Sequence, residues 1–331
     1  MPAEWERQSA IWLSWPHNLE TWPENLLAAQ NEFVQLVTAI CSTEPVFVMG
    51  SGETLPAARR SIGALENVRF VDIPTNDAWA RDYAPTFVID SNRRLIAVNW
   101  HYNAWGGKYP PFDHDQKVAQ SIADYLQIKC ISPGFCIEGG AIETNGNGVM
   151  LGTRTCALDP NRNPDVSISQ VETVLADHLG VQTFVWLSQA ALDGDDTDGH
   201  IDQMARFTDR NTIVYAWNDD KNDPQSARLT QNYRELRSQL AAAKLEDCRL
   251  VALPIPTPLE HCGRRIPASY CNFLISNELV LVPQFGVPED RQALEVLTPL
   301  FPSRQLVGLS SKELSVGLGS FHCLSQQQPE L

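Results

Sequence analysis

Apolar residues recur at helical spacing over residues 26–40 and 118–126, at Ile168, Val171, Val174, Leu175 and Leu179, and around Leu294 and Leu297. Each stretch would bury one stripe and leave the opposite face to solvent, which predicts short amphipathic helices. Between them the period shortens to that of strands. Residues 86–90 and 95–100 flank Ser91-Asn92, and 135–142 and 149–153 flank Asn145-Gly146-Asn147-Gly148. Residues 200–207 and 212–217 flank Asp209-Arg210-Asn211, and 270–275 and 279–283 flank Ser276-Asn277. Apolar runs joined by Asn, Asp, Ser or Gly predict hairpins, four of them interleaved with the helices.

A polar residue stands at the head of each pair, Asp82, Glu138, His200 and Ser269, and Cys323 follows further on. The steps between them, 54 to 69 residues, exceed those of common repeats and suit similar α/β modules about an axis, each presenting a strand end to a shared centre. The apolar stretch 10–15 would complete the module of Cys323 and close a ring without open edges. An ordinary α+β domain with evenly spaced hairpins fits the same pattern. No Ser/Gly-rich linker, charge block or low-complexity tract divides the sequence, so residues 1–331 read as a single domain.

Composition narrows the class. The chain has 331 residues, 43% of them hydrophobic, and its 40 Asp+Glu against 25 Lys+Arg give a net charge of −15. Such a charge repels phosphate backbones and favours cationic ligands, which argues against a nucleic-acid partner. Apolar runs fall far short of the roughly 18 residues a membrane helix needs, so no membrane partner is expected, and a signal-peptide pattern is lacking. Eight cysteines without a Cys-x-x-Cys pair suit neither a disulfide scaffold nor a zinc ribbon. A cytoplasmic protein is expected, with its oligomeric state open and a homo-oligomer allowed.

Candidate chemistry gathers in Asn76-Asp77-Ala78-Trp79-Ala80-Arg81-Asp82, Glu138-Gly139-Gly140, Asn161-Arg162-Asn163-Pro164, and the stretches 195–202 and 321–327. His200 and Asp202 stand two apart at the start of a predicted strand, so both side chains would reach one ligand. His322 and Cys323 are adjacent and on an extended segment would point apart. Cys323 as a nucleophile then needs a base from elsewhere, and His200 is the candidate. A hydrogen-bonded structural His200 and an inert, packed Cys323 are the plain alternatives. Asp113-His114-Asp115 offers metal-ligand types but opens a helix, where Asp is a favoured cap, so no metal is assigned. Gly146-Asn147-Gly148 and Gly317-Leu318-Gly319 lack the third Gly or the Lys of a phosphate loop, and neither Gly-x-Ser-x-Gly nor His-Glu-x-x-His occurs. The remaining cysteines, Cys41, Cys130, Cys136, Cys156, Cys248, Cys262 and Cys271, are read as small buried residues or surface thiols.

Taken together and in this order, the segments resemble the agmatine deiminase and bacterial-type peptidyl-arginine deiminase family of guanidino-group-modifying enzymes. The resemblance runs from Met1-Pro2-Ala3-Glu4-Trp5-Glu6 through Trp15-Pro16-His17-Asn18, Asn103-Ala104-Trp105-Gly106-Gly107, Asn161-Arg162-Asn163-Pro164 and Pro283-Gln284-Phe285-Gly286 to His322-Cys323-Leu324-Ser325-Gln326-Gln327-Gln328-Pro329, essentially the whole chain. It implies an α/β pentein fold, a five-bladed pseudo-fivefold propeller around a central site, and hydrolysis of a guanidino group to a ureido group and ammonia with no metal or organic cofactor. It also implies Cys323 as nucleophile, His200 as base, Glu138 orienting His200, Asp82 and Asp202 on the guanidinium, and Trp79 lining the channel. Agmatine, giving N-carbamoylputrescine, is the first expectation, because a strongly acidic chain suits a small dication. The alternatives are peptidyl- or free arginine giving citrulline, an amidinotransferase of related fold and, outside the class, a non-catalytic guanidino or polyamine binder. Free arginine needs a cation for its carboxylate; Arg81, Arg154, Arg162, Arg264 and Arg265 are candidates, each with a structural salt bridge as the plain alternative. The chain departs from the family pattern at Ser320 and Asp198, where Asn is common, changes expected to bear on the substrate's tail.

Overall fold

The structure is a computed structural model and describes residues 1–188 and 191–331. All four predicted hairpins form: Thr86–Ile89 with Leu95–Val98, Ile142–Thr144 with Val149–Thr153, Ala205–Asp209 with Thr212–Trp217, and Leu274–Ile275 with Leu279–Gln284. In each, the second strand continues into a helix and then a third strand parallel to it, Lys129–Ile131, Thr183–Leu187, Arg249–Pro254 or Gln305–Ser310. A parallel pair requires such a crossover, and the helices Asp115–Leu126, Ile168–Leu179, Gln225–Ala242 and Glu289–Leu297 provide it.

The fifth unit is assembled from distant parts of the chain. Gln8–Ser14 pairs antiparallel with Ser325–Pro329, from Gln8 opposite Pro329 to Leu13 opposite Ser325, and parallel with Val46–Gly50 across the helix Leu26–Ile40. The expected ring closure by the stretch 10–15 therefore occurs, and Val68–Asp72 extends this sheet by one strand. Five units of the same strand order make the pentein-type propeller. Ala10, Ile11, Trp12 and Leu13 are all buried, as the continuous apolar run of a strand covered on both faces requires. The helices outside each sheet present a narrow stripe inward. Ile168–Leu179 buries Val171, Leu175 and Leu179, starts in a capping box between Ser167 and Gln170, and stops at Gly180 with φ 70°.

Three expectations need correction. The longest helix, Gln225–Ala242, was invisible to hydrophobic periodicity because its buried face mixes Leu229, Leu236 and Leu240 with Gln225, Ser226 and Asn232. The leading hairpin strands begin later than 135, 200 and 270: the one-turn helices Gly139–Ala141, Ile201–Gln203 and Tyr270–Asn272 precede them, as Ala80–Tyr83 precedes Thr86–Ile89. His200 and Asp202 thus flank and enter a tight turn instead of sharing a strand face, and His322 and Cys323 lie in a turn before Ser325–Pro329, not on an extended segment. Finally, Asp115 opens its helix, but its Oδ1 accepts from the backbone N–H of Asn76 at 2.7 Å and does not cap the helix. Among the described residues, no helix is long and apolar enough to cross a membrane.

Candidate active site

Each unit turns inward just before its first strand, and the polar residues picked out by their spacing stand at these turns. Asp82 lies in Ala80–Tyr83, Glu138 immediately precedes Gly139–Ala141, His200 immediately precedes Ile201–Gln203, which contains Asp202, and Cys323 precedes the closing strand. All are buried, as is Trp79. Gly140 marks where they meet. A methyl group there would stand 2.5 Å from His200 Nδ1, 2.9 Å from Asp82 Oδ1 and 3.1 Å from Asp202 Oδ2. Glu138-Gly139-Gly140 is therefore more than a turn: the absent side chain leaves room for three functional groups to converge.

The carboxylates are held from behind. Asp82 accepts from the Gly140 backbone N–H at 3.0 Å through Oδ1 and from Trp105 Nε1 at 3.0 Å through Oδ2. Glu138 takes Arg162 Nε at 2.8 and 2.9 Å, while Arg162 Nη1 reaches Asp198 Oδ2 at 2.7 Å and Nη2 the carbonyl of Thr197 at 2.9 Å. His200 sits between the two carboxylates, Nδ1 at 3.7 Å from Asp82 and Nε2 at 3.6 Å from Glu138, so neither ring nitrogen has a hydrogen-bond partner. Asp202 Oδ2 meets His322 Nδ1 at 2.7 Å, and His322 Nε2 meets Glu4 at 3.0 Å. The other oxygen, Asp202 Oδ1, is buried and unpartnered.

Cys323 Sγ accepts from Asn272 Nδ2 at 3.1 Å and lies 3.5 Å from Asp202 Oδ2, while its backbone N–H donates to Asn272 Oδ1 at 3.3 Å. Trp79 packs beside it: a methyl group on Gly319 would stand 2.4 Å from the Trp79 ring and 3.0 Å from Cys323 Cβ. Trp22 backs Trp79 with ring centroids 5.4 Å apart. A second thiol, Cys156 Sγ, lies 3.6 Å from Glu138 Oε2.

Burial and crowding set the protonation states. Burial pushes the Cys323 thiol well above its ordinary range, and Asp202 and Asp82 push the same way. Burial also lifts Asp82 to about 6, with Asp202 and Glu138 adding to the effect and His200 opposing it. For Glu138 burial acts upward too, yet His200 and Arg162 hold it at about 2. Burial works against the His200 imidazolium, but Asp82 first, then Cys156 and Glu138, carry it well above its usual range. The resting site thus presents a protonated imidazole, a thiol, and carboxylates in need of a cation.

Sequence reasoning placed Cys323, His200, Glu138, Asp82, Asp202 and Trp79, and the fold brings all six together. It missed the groups behind them: Trp105, Asn272, His322 and Glu4 had no assigned role, and Arg162 was weighed as a partner for a substrate carboxylate or a structural salt bridge, not as the support of Glu138. Glu4, Trp105, Arg162 and His322 all lie in the segments that carry the resemblance, which was the available signal; Asn272 gave none.

Paired carboxylates for a planar cation, with a thiol and an imidazole beside them at the hub of a pentein ring, define an amidine hydrolase acting on a guanidino group through a cysteine nucleophile. The model of the Porphyromonas-type peptidyl-arginine deiminase family matches residues 1–329. The chain belongs to that family. It is 37% identical to an agmatine deiminase of Stutzerimonas stutzeri over 99% of this chain and 95% of that one. Among solved structures, an agmatine deiminase of Enterococcus faecalis matches with TM-score 0.94 at 31% identity, covering 100% of this chain and 95% of the other. A substrate-bound agmatine deiminase of C. jejuni matches with TM-score 0.92 at 30% identity, covering 100% and 96%.

Proposed function

We propose that the chain hydrolyses agmatine to N-carbamoylputrescine and ammonia, with Cys323 as nucleophile and His200 as acid and base. The observation that carries this reading is the set of buried, unpartnered polar atoms on two residues that converge at Gly140: both ring nitrogens of His200 and Oδ1 of Asp202, whose other oxygen lies 3.5 Å from Cys323 Sγ. Buried polar groups without partners are costly, and a guanidinium donating to Asp82 and Asp202 removes that cost. The bound cation offsets the charges of Asp82 and Asp202, which disfavour thiolate, so as substrate arrives the thiol loses its proton to solvent.

Sulfur then attacks the guanidinium carbon, and the resulting tetrahedral adduct collapses as His200 gives its proton to the departing nitrogen, releasing ammonia. His200, now neutral, takes a proton from water as that water attacks the amidino-thioether. The second adduct expels the thiolate and leaves the ureido product. Glu138 keeps the ring oriented and favours its protonated form. In this scheme Trp79 walls the channel.

Agmatine is preferred over arginine because Arg162 and Arg81, the buried arginines bonded to the site's own residues, are already engaged, as is Arg265. Arg162 is bound to Glu138 and Asp198, Arg81 to the His322 carbonyl and Gln327, and Arg265 to Asp223. To reach any of these three, a substrate carboxylate would have to break an existing pair. The test is parallel incubation with agmatine, free arginine and an arginyl peptide, measuring ammonia and ureido product. Agmatine turnover is expected, and Cys323→Ala should abolish it with the fold intact. Residual activity within about tenfold, roughly 1.4 kcal/mol, would remove Cys323 from the reaction.

A further inference from the structure

Away from the hub, Glu24, His261 and Cys262 bring a carboxylate oxygen, a ring nitrogen and a thiol sulfur within 4.8 Å of one another. They come from two distant parts of the chain. Glu24 lies just before the helix Leu26–Ile40, and His261 and Cys262 form the tip of a small hairpin, Glu260–His261 paired with Arg264–Arg265. Two other clusters of similar composition occur among the described residues, but both are already neutralised: Arg162 occupies Glu138 beside Cys156 and His200, and Arg206 binds Glu4 and Glu143 beside His322. No such cation is bound at Glu24. Among the described residues, the side chains of Glu24, His261 and Cys262 make no hydrogen bond or ion pair, and Nε2 of His261 is buried without a partner.

We infer that Glu24, His261 and Cys262 form a binding site for zinc or a divalent ion of similar softness. Thiolate, imidazole and carboxylate together are the donor set of a tetrahedral zinc site, with water completing the fourth position. Binding displaces the thiol proton of Cys262 and forms three metal–protein bonds, with no change of oxidation state. Cys262 is exposed, so an ion reaches it without opening the core. The hairpin tip is also held in a shape that favours other residues: Cys262 and Gly263 have φ of 49° and 73°, a type I′-like turn in which Asn or Gly ordinarily takes the first place.

The ion would join two segments that each lead to the hub. Trp22, two residues before Glu24, packs against Trp79 with the rings tilted by 36°. At the base of the hairpin, Arg265 pairs with Asp223 and with Asp193, and Asp193 starts the acidic loop that delivers Thr197 and Asp198 to Arg162. The site is independent of the hydrolytic roles proposed above.

The test uses the full chain carrying Cys323→Ala, so that the hub thiol cannot bind metal. Titration with zinc should give one site per chain at micromolar affinity, and cobalt should give a thiolate-to-metal charge-transfer band in the near ultraviolet. Adding Cys262→Ser should remove the band and lower zinc affinity at least tenfold, and Glu24→Gln should weaken binding while keeping the band. Because Cys262 is at the surface, the variant is expected to fold, which circular dichroism checks. No zinc uptake at a hundred micromolar, or uptake and a cobalt band unchanged by Cys262→Ser, overturns the site.

Discussion

Arg162 carries more of the chemistry than its place behind Glu138 suggests. Its Nε–H is shared between both oxygens of the buried Glu138 carboxylate, while Nη1 and Nη2 reach Asp198 and the Thr197 carbonyl, so the guanidinium ties Glu138 to the acidic loop. Lys keeps the charge but not the fork, so Arg162→Lys should lower kcat by about tenfold or more with little change in KM, because Glu138 would no longer fix the imidazole. Steady-state kinetics on agmatine separates this from a loss of substrate binding. Asp82, raised to about 6, predicts the acid side of the pH profile. As pH falls through about 6 it gains a proton and loses an acceptor for the guanidinium, so kcat/KM should fall. A bound cation favours the ionised form, so the corresponding limb of kcat should lie at lower pH. Coincident limbs in the two profiles would show that Asp82 does not contact the substrate. At this scale the sequence was legible wherever a residue type has a distinctive chemistry, as at Cys323 and His200. It was silent for Asn272, which holds the thiol through an ordinary amide.

Single helical turns, not strands, aim most of the polar groups that converge at the hub. Hydrophobic alternation finds strands of several residues, but a one-turn element such as Ile201–Gln203 has no period to detect, and so the start of each hairpin was misjudged. The four second strands and the helices with strongly apolar stripes were legible, since burial leaves a clear pattern in them. Helix Gln225–Ala242 was not, because polar side chains complete its buried face. The close approach of turns explains Gly140 in terms of space. Gly140→Ala would set a carbon 2.5 Å from His200 Nδ1 and 2.9 Å from Asp82 Oδ1, and both residues are enclosed. A displacement of about 1 Å at such a site costs on the order of a hundredfold in rate, so this variant should fold but lose at least that much kcat. Near-normal turnover would mean that the turns are free to separate.

The whole molecule depends on a seam between its first and last strands. Trp12 in Gln8–Ser14 stands opposite Gln326, donates from Nε1 to Gln328 Oε1 at 2.9 Å, and stacks on Phe47 with centroids 4.3 Å apart. Trp12→Ala should cost about 3–5 kcal/mol, seen as a fall in the denaturant midpoint, and inactivation should precede the loss of helical signal, because Cys323 lies two residues before the seam. Coincident loss of activity and helix would instead mean that all five units melt together. The ring was readable in outline from the regular recurrence of polar residues, whereas the pairing of residue 8 with residue 329 has no local signal at all. In terms of chain statistics, that pairing is less demanding than its span implies. The entropy of closing a loop grows only with the logarithm of its length, about 0.6 kcal/mol for each doubling. Joining the two ends of this chain therefore restricts its conformational freedom scarcely more than joining residues half as far apart, and five register pairs suffice to keep a thiol encoded near one end at the same hub as an imidazole encoded near the middle.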